Sequence, residues 1–319
     1  LLMKYSTLIS INLSVNNPEI SYTLSNQKEW RSYSKSVASL GVQANIGTKD
    51  IKQGLIPLPP TKAEQTSIAN ALSDADALIQ SLTRLIAKKR QIKQGTMQTL
   101  LNPYENGRLK AGWVVKKLGS CLQTAPDYGI NAPAAPFSLL LPKYIRITDI
   151  SENGQYLNEN CVSVNHPCSH EYFLQDGELV FARTGASVGK TYLYDKKDGK
   201  LVFAGFLIRI KPDKEKLNSL YFKYYTQTVL YWNWVVVNSM RTGQPGINGK
   251  EYSNLPIYIP SSIDEQTRIA TILSGMDAEI AALEAKLAKY RHIKQGMMQN
   301  LLTGRIRLVK PESNTGAVA

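Results

Sequence analysis

The sequence is poor in cysteine, histidine and acidic residues, and it has no long apolar run. Its three cysteines, Cys121, Cys161 and Cys168, are an odd number in 319 residues. They are too few for a disulfide framework, so a reducing cytoplasm is the expected compartment. Three histidines leave little material for a catalytic histidine, and no Ser-His-Asp arrangement can be argued from spacing. No stretch approaches the roughly 20 apolar residues that span a bilayer. The first residues also lack the basic, apolar, small-residue order of a signal peptide, so no membrane partner is expected. Asp plus Glu number 25 against 38 Lys plus Arg, a net charge of +13. That imbalance favours a polyanionic partner, nucleic acid before membrane. A glycine-rich cofactor loop is missing, as is the NPPY or DPPY run of an amino-methyltransferase. Asn102-Pro103-Tyr104 is too short to be one.

What the chain has in plenty is repetition. Residues 64–101, EQTSIANALSDADALIQSLTRLIAKKRQIKQGTMQTLL, recur at 265–302 as EQTRIATILSGMDAEIAALEAKLAKYRHIKQGMMQNLL, with about 22 of about 38 positions identical. Thr61 with Glu64, and Ser262 with Glu265, have capping-box spacing, and Pro60 and Pro260 close the apolar runs before them. Apolar residues fall at Ile68, Leu72, Ala75, Ile79, Leu82 and Ile86, and again at Ile269, Leu273, Met276, Ile280, Leu283 and Leu287. Steps of four and three are the seam of a coiled coil. The economical partner for each seam is the other copy, antiparallel. The expected pairing residues are Ile68, Leu72, Ile79, Leu82, Ile269, Leu273, Ile280 and Leu283. About 40 helical residues extend roughly 60 Å. The clusters Lys88, Lys89, Arg90, Lys93 and Lys286, Lys289, Arg291, Lys294 suit helix C-termini, with DNA contact as the alternative.

The organisation that follows is α+β: mixed domains joined by two long antiparallel coiled-coil helices. Residues 61–102 and 263–303 are the helices, 103–262 a domain between them, and 304–319 a tail. Within the domain KYIRITDI, GELVFAR, KTYLY and FAGFLIRI read as strands. Leu217, Leu220, Tyr221, Tyr224, Tyr225, Trp232 and Trp234 form a helical stripe, read as core, with base stacking as the sharper alternative. Residues 1–60 are shorter. At the repeat offset Gln43 matches Gln244, Ile46 matches Ile247, Lys49 matches Lys250, Asp50 matches Glu251 and Ile56 matches Ile257. The segment is therefore expected to be the C-terminal part of a first domain, with about 90 residues of it lacking.

Three motifs invite chemistry. Gly185-Ala-Ser-Val-Gly189-Lys190-Thr191 resembles a phosphate-binding loop. It has one residue too few between its glycines and is followed by a strand, so a tight turn presenting Arg183, Thr184 and Lys190 is preferred. Cys161, His166, Cys168 and His170 lack zinc spacing, so no metal site is expected. Arg241-Thr-Gly-Gln-Pro-Gly-Ile-Asn-Gly-Lys250 is a glycine-rich loop read as joining a helix to a strand. Its Arg241 and Gln244 suit base edges and its Lys250 suits phosphate. Lys143 and Arg146 complete the set of DNA-contact candidates, and no catalytic residue is assigned.

The duplicated helices, the IPLPP and IYIP runs before them, GELVFARTGASVGKT and RTGQPGINGKE together resemble the specificity (S) subunit of type I restriction-modification systems over nearly the whole chain. The resemblance implies a non-catalytic, DNA-reading subunit. In that family two target recognition domains each read half of a split duplex site. The paired helices set the distance between them and dock methyltransferase (M) subunits, which methylate a flipped-out adenine. S-adenosylmethionine, ATP and Mg belong to the partner M and restriction (R) subunits, and none is expected on this chain. A half-sized subunit could regain two readers by self-association. Two rivals remain at this point: a DNA-independent coiled-coil adaptor, and an enzyme built on the Gly185–Thr191 loop.

Overall fold

A computed structural model describes residues 8–10, 28–38, 55–57 and 59–308. In chain order the elements are β1 (Leu8–Ser10), α1 (Lys28–Val37), β2 (Leu55–Pro57), α2 (Lys62–Leu100), β3 (Tyr104–Glu105), β4 (Arg108–Leu109), β5 (Trp113–Lys117), β6 (Asp127–Tyr128), β7 (Ala135–Pro136) and β8 (Lys143–Ile145). Then follow β9 (Val162–Ser163), β10 (Leu179–Ala182), β11 (Thr191–Leu193), β12 (Leu201–Phe203), β13 (Leu207–Ile210), α3 (Ser219–Tyr225), α4 (Val229–Ser239), α5 (Gly249–Ser253), β14 (Pro256–Pro260) and α6 (Ile263–Leu301). The class is α+β, as the sequence predicts. The chain divides into two compact units, residues 1–89 with 279–319 and residues 90–278, and the division falls inside both long helices.

In the first unit β1 pairs with β2 antiparallel, and the helices supply the apolar core. Ile68, Ala69 and Leu72 of α2 are buried with Leu301 and Leu302. Further along, Leu82 and Ile86 are buried with Ile280 and Leu287, flanked by Leu78, Ile79, Leu283 and Tyr290. Early residues of one helix thus meet late residues of the other, which is the antiparallel pairing expected. Lys294 Nζ reaches Asp76 at 2.5 Å and Lys89 reaches Glu279 at 2.6 Å. Both helix starts are capped by a hydroxyl. Glu64 N–H donates to Thr61 Oγ1 at 3.2 Å, but the buried Glu64 carboxylate pairs with Arg307. Glu265 N–H likewise donates to Ser262 Oγ at 3.4 Å, while its carboxylate holds Arg268. Each glutamate carboxylate thus has a guanidinium partner, the stronger class of hydrogen bond.

In the second unit one sheet runs β11-β10-β13-β6 and another β12-β8-β9-β7. β10 is buried along its whole length. Leu179 and Phe181 join the core under the helices, whereas Val180 and Ala182 face Tyr192, Leu201 and Phe203 in a second cluster. Both faces of the strand are covered, so its sequence is a continuous apolar run with no polar alternation. The first core takes Tyr221, Phe222, Tyr224 and Tyr225 from α3, and Tyr231 and Val235 from α4. Burial pushes the phenols of Tyr221, Tyr224 and Tyr225 above their ordinary range. The aromatic stripe is therefore core and not a stacking platform.

Ile269 and Leu273 of α6 are buried in this same core beside Ile257 and Ile259 of β14. Leu101, just past the end of α2, is buried in the same cluster, and Met97 and Leu100 of α2 pack against it, so Ile269 and Leu273 share their core with the other helix as well as with the domain. At this end of the helix the seam is covered by an aromatic domain in addition to the end of the other helix. At the repeat offset α1 falls on the position of α4 and β2 on that of β14. The matches at Gln43, Ile46, Lys49 and Asp50 lie outside the described residues.

Candidate nucleic-acid interface

The site is built from a hairpin turn, a long loop and a two-residue edge strand. β10 and β11 pair antiparallel, with Phe181 opposite Thr191, and the 183–190 turn joins them. Gly185 and Gly189 both have positive φ, 72° and 87°. A Cβ on Gly189 would sit 2.6 Å from Val235 Cγ1. The glycines are therefore required by a tight turn packed on α4, and no helix follows to cradle phosphate. The nucleotide-loop reading fails on that geometry.

The second piece, 240–248, arrives from the end of α4. It ends on a helix, α5, and not directly on a strand, so Lys250 is helical; this corrects the sequence reading. Asn248 caps α5: its Oδ1 accepts from Glu251 N–H at 2.9 Å, and Glu251 Oε2 accepts from Asn248 N–H at 2.8 Å. The backbone joins the two pieces. Ile247 N–H donates to Arg183 O at 2.9 Å and Gly185 N–H to Pro245 O at 3.0 Å, and Thr184 bridges Gly246. Gln244 Nε2 lies 3.0 Å from where a Cβ on Gly185 would stand. Arg183, Thr184 and Gln244 therefore share one surface.

Tyr128 of β6 underlies that surface. The Arg183 guanidinium carbon lies 4.9 Å from the Tyr128 ring centre. Tyr128 Oη accepts from Gly249 N–H at 3.0 Å. Tyr128 is 41% exposed and Phe206, whose carbonyl accepts from Arg183 N–H, is 57% exposed. The edge strand is fixed from within. Arg209 of β13, 7% exposed, donates to both oxygens of Asp127 at 3.1 and 2.6 Å and pairs with the buried Glu178. Sequence reading missed Tyr128 and Phe206. A two-residue strand leaves no periodicity to find.

Other candidates are placed differently. Lys190 meets Glu152 at 2.6 Å, and Arg241 meets Glu251 at 2.5 Å. Lys143 and Arg146 lie on or beside β8, in the other sheet. Lys143 Nζ donates to Asp198 O at 2.9 Å. Arg146 is chelated by Asp149 through Nε and Nη2 at 2.9 and 2.8 Å, and that hydrogen bonding holds its pKa above the usual value against the opposing effect of burial. These two are not brought to the Arg183–Gln244 surface by any contact of theirs. Cys161 bonds Asn158, not a histidine. Among the described residues no group of three or more His, Cys, Asp or Glu could hold a metal ion, and no helix is long and apolar enough to cross a membrane.

Repeated long helices, and an α+β domain presenting a joined pair of loops, are the class of structure observed. The family model for the type I restriction modification DNA specificity domain matches residues 3–94 and 131–290. The chain belongs to that family. It is 25% identical over 278 residues to the MjaX type I restriction enzyme specificity subunit of Methanocaldococcus jannaschii, covering 83% of this chain and 62% of that protein. To the MjaVIII specificity subunit of the same organism it is 23% identical over 285 residues, covering 79% and 62%. The chain thus spans 62% of the length of both relatives. The fold resembles the S subunit of a type I restriction-modification system from M. genitalium, with a TM-score of 0.58, 17% identity, and coverage of 89% of this chain and 72% of that one.

Proposed function

We propose that this chain is a non-catalytic specificity subunit that reads part of a split duplex DNA target. The observation that carries this reading is the junction of the 183–190 turn with the 240–248 loop. It sets the half-buried Arg183 and Thr184 beside the exposed Gln244 on one face of a domain in a chain of net charge +13. Arginine and glutamine are the side chains whose paired donors and acceptors match guanine and adenine edges in the major groove. Lys250 is exposed just beyond the loop bearing Gln244 and would serve phosphate.

The long helices would dock M subunits. Ile92 and Ile293 occupy the same place in the repeat and are 44% and 42% exposed. Each is followed three residues later by a glycine, Gly95 or Gly296, on which a Cβ would meet nothing within 4 Å. Two equal apolar spots beside bare backbone suit close approach of a partner helix. S-adenosylmethionine, ATP and Mg would reside on the M and R subunits.

The test is binding of the full chain to a random-sequence duplex and to duplexes enriched from a random library. Affinity should fall linearly in log–log form as salt rises, because bound phosphates release counterions, and one sequence should be enriched. A DNA-independent adaptor would show neither. Methylated adenines mapped in cells that carry the chain with M subunits would then give the complete site.

A further inference from the structure

We infer that Tyr128 is a positioning residue that presents Arg183 to a guanine, so that one base pair of the target is fixed by this stacked pair. The inference rests on the DNA-reading function proposed above. Its starting point is a contrast among the basic candidates. Arg146, Lys190 and Arg241 already spend their charge on Asp149, Glu152 and Glu251. Among the described residues the Arg183 guanidinium has no hydrogen-bond or ion-pair partner; its contact is the face of Tyr128. A guanidinium laid on an aromatic face keeps its N–H groups in the plane, directed outward, with the fork that guanine O6 and N7 require still open.

The platform is itself held at three points. Its backbone is in register with Ile208 of β13. The neighbouring Asp127 is gripped by Arg209 through two hydrogen bonds. The hydroxyl accepts from Gly249 N–H, the first residue of α5. That last bond ties the platform to the end of the loop bearing Gln244, and Ile247 N–H ties the same loop to Arg183 O. Edge strand, turn and loop thus form a closed circuit of hydrogen bonds and one ring stack around a single arginine. A long, flexible side chain is pre-ordered before DNA arrives, which lowers the entropy lost on binding.

The test is selection from a random duplex library by the full chain, followed by sequencing of what binds. The wild-type chain should enrich a motif containing a guanine. Arg183→Ala and Arg183→Lys should lose preference at that one base pair by roughly 5- to 150-fold while the rest of the motif persists. Tyr128→Leu should relax the same position. Tyr128→Phe, which keeps the ring and loses only the hydroxyl, should retain the preference. A merely structural tyrosine would lower all binding together without relaxing one position. Arg183 is half-buried, so its lysine variant should fold and keeps the inference testable even if Tyr128→Leu does not. A wild-type chain that enriches no motif overturns the DNA-reading function and this inference with it. A wild-type motif that survives unchanged in Arg183→Lys, or in a folded Tyr128→Leu, overturns this inference alone.

Discussion

In the first unit Lys294 meets Asp76; in the second, Lys93 meets Asp277, also at 2.5 Å. The two ion pairs occupy the same places in the repeat with the helices exchanged. Their surroundings differ. Asp277 also accepts from Tyr224 Oη at 2.8 Å, and Lys93 lies 5.4 Å from the centre of the Tyr224 ring. Tyr224 belongs to α3 and is 1% exposed. One copy of the pair is thus a link between helices, and the other also binds a helix to the aromatic core. The duplication preserved the seam, and the domain in the second unit adopted part of it as its own wall.

The largest effect that would break this comparison is a cavity. Leu273 is 0% exposed in the large aromatic cluster, whereas Leu72 is 4% exposed in a small cluster with Leu301 and Leu302. Leu→Ala in a core costs about 2–5 kcal/mol, more where neighbours cannot collapse. Leu273→Ala is expected near the top of that range and Leu72→Ala near the bottom. Denaturant unfolding of the two variants gives the difference. Equal losses would mean that the two seams are alike.

A smaller effect separates the two carboxylates. Asp76→Asn weakens an ion pair whose aspartate side chain is 47% exposed, and such pairs are worth about 0–1 kcal/mol. Asp277→Asn disturbs both Lys93 and a buried tyrosine hydroxyl, so it should cost about 1 kcal/mol more. Tyr224→Phe should recover most of that extra cost when combined with Asp277→Asn. Strict additivity of the two substitutions would show that the hydrogen bond contributes nothing.

The long helices were legible because a repeat and a period of 3.5 mark the same residues. Ile68 and Leu72 are buried with Leu301, and Leu82 is buried with Ile280. Ile269 and Leu273 have identical spacing and share their core with the domain's aromatic residues as well as with Leu101, because periodicity tells which face is apolar and not everything that covers it. The aromatic stripe was legible as core on the same grounds. In the site, the 183–190 turn could be read from its glycines, and Asn248-x-x-Glu251 offered a capping box that would have revealed α5. The junction of the two loops could not be read. It depends on Ile247 N–H meeting Arg183 O across more than 60 residues of chain, and on an edge strand of two residues. The carboxylates that occupy Lys190 and Arg241 were equally hidden, since Glu152 and Glu251 become partners only in the folded chain.

The smallest predicted effect tests whether the two helices share an outward role despite their different inward ones. Gly95 and Gly296 sit inside helices, where glycine costs about 0.5–1 kcal/mol relative to alanine. A Cβ at either position would touch nothing within 4 Å. Gly95→Ala and Gly296→Ala should therefore each stabilise the chain alone by about 0.5–1 kcal/mol. If partner helices approach at Ile92 and Ile293, the same methyl group stands in their path, and each variant should bind M subunits more weakly although it folds better. Stability and binding are then expected to move in opposite directions, by similar amounts at the two sites. A rise in stability with unchanged binding would leave the glycines outside any interface. Weakened binding at only one of the two would show that the helices differ on their outer faces as well as on their inner ones.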